Sequence, residues 1–202
     1  MINSTDQNSY VELYQDFLHP NPNINSQAIF LLRKEFRVQF MNNLLTNLRS
    51  EDILIRRKSI LALGEYGEEI LKSIVSLYFN SKNKIVRVSC LKTIIKVIVN
   101  FDLKELNKES MLIVESALKD SSPEIILSVI SLLRQLGLNG RDILIKTCRD
   151  KDLLRAKASV TAHLEMKDQA VDELFDELLN DKSIDPMIKE DILCDRMNDL
   201  VS

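Results

Sequence analysis

Residues 52–67 read DILIRRKSILALGEYG, and this stretch decides the fold. Asp52 is a residue type whose side-chain oxygen accepts the orphan N–H bonds of a first helical turn. Ile55, Ile60 and Leu63 follow at helical spacing and make one apolar stripe. Gly64 and Gly67 then mark the helix end. The same arrangement recurs along the chain. Phe17, Leu48, Phe79 and Leu118 lie 31, 31 and 39 residues apart. Four residues after each stand Asn21, Asp52, Asn83 and Ser122, all of them N-cap types. Pro22 and Pro123 occupy the first helical position, where the missing N–H had no partner anyway. Three apolar sets then align: Ile24, Ile55, Val86 and Ile125; Ile29, Ile60, Leu91 and Ile130; Leu32, Leu63, Ile94 and Leu133.

The pattern is a helical hairpin repeated along the chain. The first helices of the pairs are also legible, over 36–48, 70–79 and 111–118. A fifth unit keeps Asp152 as cap, but Arg155 and His163 fall where apolar residues stood; a one-residue slip to Leu154 and Ala162 restores part of the stripe. A sixth opens on Asp185-Pro186, has Ile188 and Leu193 in register, and serves as a terminal cap. Thr93 to Val99 (TIIKVIV) is β-branched and strand-like by propensity, yet the repeat places it on a helix. The expected fold is all-α, an α-solenoid of five to six helical hairpins. Residues 12–202 form its single domain and residues 1–11 a flexible N-terminus. The acidic stretch from Asp168 reads as exposed helix.

Composition agrees and excludes much else. Gly and Pro number four each among 202 residues, too little punctuation for a β-sandwich. Trp is absent and aromatics are 5 %, so the core is aliphatic. A net charge of -3 argues against binding that rests on many phosphate contacts. No apolar run approaches membrane-spanning length. Met1 to Tyr10 carries no Lys or Arg, so neither a secretory signal nor a transit peptide is expected. Cys90, Cys148 and Cys194 form no C-x-x-C pair, which points to a reducing, cytoplasmic setting. His19 and His163 stand far apart, so no metal site is expected, and no Walker or G-x-G-x-x-G loop occurs.

Ile55-Arg56 and Val86-Arg87, a β-branched residue followed by Arg, resemble the HEAT repeat. The segment from Ile55 to Gly67, ending Ala62-Leu63-Gly64-Glu65-Tyr66-Gly67, looks like the short HEAT-like repeat of phycobilisome bilin lyases. With Asn83 to Asn100, His19 to Asn23 and the length, the chain looks most like Z-type subunits of the E/F and Y/Z bilin lyase group. The resemblance covers roughly residues 12–200. It departs at Ile24-Asn25 and Ile125-Ile126, where Ile-Arg is expected, and in its scarcity of Ala: Ala28, Ser59, Cys90 and Val129 share one aligned position.

The resemblance implies a HEAT-like, armadillo-type superhelix and a chaperone-like subunit of a bilin lyase system. Such a subunit assists bilin attachment to phycoerythrin subunits and stabilises them. The acceptor thiol belongs to the client, and no catalytic residue is assigned. A linear tetrapyrrole is implied as a transient ligand, with no permanent cofactor. Phycoerythrin subunits and a Y-type lyase, as a heterodimer, are the implied partners; nucleic acid and membrane insertion are not. Arg57, Lys58, Leu61, Tyr66, Arg87, Lys92 and Arg134, on the second helices of their pairs, are the candidate contacts to client or bilin. Each has a plainer reading: Arg56 and Arg87 as rungs between repeats, Arg56 to Lys58 as a solvated face, Cys90 as core, Cys148 and Cys194 as inert thiols. A phycobiliprotein-binding degradation factor and a generic HEAT adaptor are the competing functions. A HEAT-like DNA glycosylase is disfavoured by the charge and the lack of Trp.

Overall fold

The computed structural model describes residues 4–166 and 172–199, and among these every regular element is helical. In order they are α1 (Ser4–Leu18), α2 (Pro22–Glu35), α3 (Arg37–Asn47), α4 (Ile53–Leu63), a 3₁₀ segment (Gly64–Ile70), α5 (Leu71–Phe79), α6 (Lys84–Phe101), α7 (Lys108–Leu118), α8 (Pro123–Gln135), α9 (Leu138–Thr147), α10 (Leu153–Met166), α11 (Asp172–Asn180) and α12 (Pro186–Asp199).

The aligned cap residues start the even-numbered helices. The Asn21 carboxamide accepts from Asn23 N at 3.0 Å. Asp52 accepts from Leu54 N at 2.7 Å and Ile55 N at 3.4 Å. Asn83, Asp152 and Asp185 accept from Ile85 N, Arg155 N and Met187 N at 2.8, 3.0 and 2.9 Å. Ser122 differs: its hydroxyl donates to Glu124 Oε2 at 2.6 Å, and Pro123 begins the helix without a side-chain cap. A second set of residues, two positions before each cap, accepts the cap's own N–H: His19, Ser50, Ser81, Asp120 and Asp150, at 2.8–3.2 Å. Side-chain acceptors of this kind hold a turn shut, so the turn into α2, α4, α6, α8 and α10 is built alike each time.

The apolar stripes become the core. Leu32, Leu63, Ile94 and Leu133 are fully buried, and the small position of Ala28, Ser59, Cys90 and Val129 is buried throughout. Helices α4, α6, α8, α10 and α12 pack each on the next, and each also packs on the odd-numbered helix preceding it, apart from α6, which packs on both the 3₁₀ segment and α5. The result is two layers. One core cluster runs from Tyr10 to Leu144 and takes in Ala162 of α10; a smaller one joins Cys148, Ala156, Val160, Phe175, Leu178, Ile188 and Ile192. The stretch Thr93 to Val99 lies inside α6, where burial of Thr93, Ile94, Val97 and Ile98 overrides its strand propensity.

Three expectations change. The boundary at residue 11 falls inside α1: Tyr10 is buried, its ring is edge-on to Phe36, and its hydroxyl accepts from Asn43 at 2.7 Å. The fifth unit needs no slip. Val160 and His163 hold the unslipped core positions, both 0 % exposed, while Arg155 turns back to Asp150 at 3.1 Å. In α12, Ile188 is buried as expected, but Leu193 is 50 % exposed and Ile192 takes the core position. Of the acidic stretch from Asp168, read as exposed helix, Asp172 and Glu173 are exposed on α11, while residues 168–171, like residue 167 and the final residues 200–202, lie outside the described residues.

Candidate functional site

Side chains one, five and nine residues after each cap are four apart and share a helix face. They are Ile53, Arg57 and Leu61 on α4; Lys84, Val88 and Lys92 on α6; Pro123, Leu127 and Ser131 on α8; and Leu153, Lys157 and Thr161 on α10. This face points away from the odd-numbered layer and is hollowed. Between α4, α6 and α8 lies a trough of about 760 Å³, lined by apolar Ile60, Leu61, Val88, Ile95 and Leu127, by the cations Arg57, Lys92 and Lys96, and by the carboxylate Glu124. A second hollow of about 630 Å³ lies between α8 and α10 and shares Leu127 and Ser131 with the first. Leu61 and Leu127 are 49 % and 48 % exposed there, a large apolar surface left open to water.

The charges divide into satisfied and unsatisfied. Lys84 bonds Glu124 at 2.8 Å, and this contact, helped by the Ser122 hydroxyl, pulls the Glu124 carboxyl down to about 2. Arg134 pairs with Glu165, and Lys157 with Asp191 at 3.1 Å. Among the described residues Arg57, Lys92 and Lys96 carry neither a hydrogen bond nor an ion pair. An apolar floor flanked by three uncommitted cations suits an amphipathic anion: the floor takes the apolar face and the cations take the charge. Among the described residues no group of three or more His, Cys, Asp or Glu is placed to hold a metal ion.

The expected contact residues separate on this geometry. Arg57, Leu61 and Lys92 line the trough, and Arg134 lines the second hollow. Lys58 points the other way. Its Nζ donates to the carbonyls of Phe17 and His19 at 3.3 and 2.6 Å, tying α4 to the end of α1, and burial lowers its ammonium below the ordinary lysine range. Tyr66 is 5 % exposed. Its hydroxyl donates to Arg37 O at 3.2 Å, the guanidinium groups of Arg33 and Arg37 sit 5.3 and 5.1 Å from its ring centre, and burial pushes its phenol up to about 12. Arg87 is a rung between units: it donates to Asp120 and to the Tyr78 hydroxyl, both at 2.6 Å, and lies over the Tyr78 ring. Arg56, expected to be a rung as well, instead stays within its own unit and holds the carbonyls of Ser50 and Glu51 in the turn before α4. Val88, Ile95, Lys96 and Leu127 were not among the expected contacts, although their distances from the caps put them on the same face.

The Ala-Leu-Gly-Glu-Tyr-Gly motif shapes the trough without lining it. Ala62 and Leu63 are buried. A Cβ on Gly64 would come within 2.7 Å of Lys96 Cβ, so only glycine lets the end of α4 approach α6 this closely. Gly67 sits at φ 66°, ψ -151°, a conformation left almost entirely to glycine, with the Phe101 ring against it. The thiols of Cys90 and Cys148 are buried and pushed up to about 12, whereas Cys194 is exposed. His163 is fully buried, edge-on to the Phe175 ring.

No protein-family model matches the chain. Individual proteins do. Over 178 residues, 88 % of each chain, it is 24 % identical to the uncharacterized phycocyanin operon protein Z of Pseudanabaena tenuis strain PCC 7409. Over 153 residues, 73 % of this chain and 82 % of the other, it is 27 % identical to the bilin biosynthesis protein CpeZ of Synechococcus sp. strain WH8020. The chain is thus similar to two proteins that carry the letter Z in their names. The first match is long enough to take in the row of helix pairs rather than one motif. Among the described residues no helix is long and apolar enough to cross a membrane.

Proposed function

We propose that the chain is a HEAT-like α-solenoid acting in the cytoplasm as the chaperone-like, Z-type subunit of a bilin lyase system. It assists attachment of a linear tetrapyrrole to phycoerythrin subunits and keeps those subunits soluble. The observation that carries this reading is the similarity, over 88 % and 73 % of the chain, to proteins named for a phycocyanin operon and for bilin biosynthesis. The trough supports it. A bilin is a flat apolar chain with two propionates, and Arg57 and Lys92 offer them uncommitted charge above an apolar floor. A Y-type lyase is the proposed partner, and the client supplies the acceptor cysteine.

Co-expression tests the proposal. Phycoerythrin subunits, a bilin pathway and a Y-type partner are expressed with and without the chain. Soluble client and chromophore fluorescence are expected to rise when it is present. Equal yields with and without it overturn the assembly role, and faster loss of client in its presence favours the degradation reading.

A further inference from the structure

The two hollows are one depression. Leu127 and Ser131 belong to both, so the surface runs unbroken from α4 across α6 and α8 to α10. Four helices side by side at roughly 8–10 Å spacing make it on the order of 25–30 Å long. Its two ends differ. At the α4–α6 end Arg57, Lys92 and Lys96 are uncommitted, while the one carboxylate among the described residues lining it, Glu124, is held by Lys84 at 2.8 Å. At the α8–α10 end the charges are already neutralised, Arg134 by Glu165 and Lys157 by Asp191, and the surface is apolar, with Leu127, Leu153 and Leu154. The walls are helices whose backbone groups are internally bonded, so an extended peptide would find no ladder partners here. A helix brings its own backbone hydrogen bonds and needs none. At 1.5 Å per residue, a helix of about 17–20 residues matches the length.

We infer that the trough binds an amphipathic helix of a protein partner, with acidic residues at the end over α4 and α6 and an aliphatic stripe running to the end over α8 and α10. Charge complementarity selects the acidic end, since three uncommitted cations over apolar surface repel a basic helix and attract an acidic one. Three cations are too few for a nucleic-acid site on a chain of net charge -3. A concave floor is the wrong shape for a membrane surface, which amphipathic elements enter with a protruding face.

The inference rests on this trough being the working face of the proposed function, and the two fail separately. The probe is a synthetic 20-residue helix with Leu at helical spacing on one face and four Glu in one half, carrying a fluorophore. One control has Lys for Glu; another has Ser for Leu. Anisotropy is measured with the full chain in 50 and 300 mM salt. The Glu/Leu peptide is expected to bind at least ten-fold more tightly than either control and to weaken with salt. The triple variant R57E/K92E/K96E is expected to lose at least ten-fold, as is L127D, while K72E on α5 changes nothing. Circular dichroism checks that the variants stay folded. A photo-crosslinker at the acidic end of the peptide is expected to label α4 or α6, and one at the other end α8 or α10. Absence of binding, equal binding of the Lys peptide, full binding by the triple variant, or reversed crosslinks overturns the inference. A chain that still raises client fluorescence on co-expression but ignores every peptide keeps its proposed function and loses the helix. Biliverdin binding in the absence of peptide binding assigns the trough to a small molecule and likewise overturns it.

Discussion

Arg57 and Arg87 are both candidate contacts in sequence, and their neighbours give them opposite roles. Arg87 and Asp120 are largely shielded, at 20 % and 14 % side-chain exposure, and Asp120 also accepts the N–H of Ser122. Removing Arg87 leaves a carboxylate in a poorly hydrated place and frees the Tyr78 hydroxyl. Arg87→Ala is therefore expected to cost about 1.5–3 kcal/mol, the range for charge-assisted hydrogen bonds. Arg57 has no such partner, and Arg57→Ala is expected to stay within about 0.5 kcal/mol. Urea denaturation of the two variants checks this, and equal losses contradict it. The thiols make a second case. Cys90, Cys148, Tyr10 and Tyr66 all sit at about 12, each raised chiefly by burial. These groups are neutral in the folded chain and ionise earlier in the unfolded one, from the ordinary thiol and phenol values of 9.0 and 10.0. Their contribution to stability is present below pH 9 and is lost as pH rises towards 12. The melting temperature is expected to fall steadily between pH 9 and pH 11. At pH 8 a thiol reagent is expected to modify Cys194 quickly and the other two only after denaturation. Rapid loss of all three thiols in the native protein would sink this.

At the scale of the element, the ends of helices carry the pattern. Asp52 accepts two N–H bonds and Ser122 none. Asp52→Ala is expected to cost about 1 kcal/mol, within the usual 0.5–2 for a lost cap, and Ser122→Ala less than half of that. Gly67→Ala forces a Cβ into a left-handed conformation against the Phe101 ring, and the expected cost is about 1–3 kcal/mol. Thermal melts of the three variants order them, and a Ser122 loss equal to that of Asp52 refutes the ranking. Caps were legible in the sequence because they are local chemistry repeated at a fixed distance. The turn acceptors were not, because five positions use three residue types: His19, Ser50, Ser81, Asp120 and Asp150. The fifth unit misled for a tertiary reason. Arg155 leaves its apolar position by folding back on Asp150, and His163 occupies its own against the Phe175 ring. Neither is visible in local spacing. The trough shows the same division. Helical period finds Arg57, Leu61 and Lys92. One residue further on, roughly 100° around the helix, Lys58 faces α1 instead. Tyr66 was misplaced because the chain leaves the α-helix at Gly64, and helical period no longer says where a side chain points.

Over the whole molecule, helices that contact mainly their neighbours need not share one stability. Each unit's burial depends on the units beside it, so cooperativity weakens wherever the shared core is thin. The core divides at α10, one side of which belongs to the larger cluster and the other to the smaller. The larger cluster reaches α10 through buried Ala162 and half-buried Leu154, Ala158 and Met166, and the smaller one joins α10, α11, α12 and Cys148 at the end of α9. Amide exchange is therefore expected to be faster in α11 and α12 than in α4, α6 and α8. Among the described residues Phe175 is the one aromatic ring of the smaller cluster, and truncating a buried Phe costs about 3–5 kcal/mol. Phe175→Ala is expected to speed exchange in α10, α11 and α12 by at least ten-fold while leaving α4 and α6 near the wild-type rate. Because Arg57, Lys92 and Lys96 all stand on α4 and α6, this variant is also expected to keep its charge-dependent binding of an acidic helix and to lose the apolar share contributed by α10. Mass-spectrometric exchange at peptide resolution, with the same anisotropy measurement, reads both. An acceleration spread evenly from α1 to α12 would mean that the two clusters unfold as one. The cationic end of the trough would then have no stability of its own.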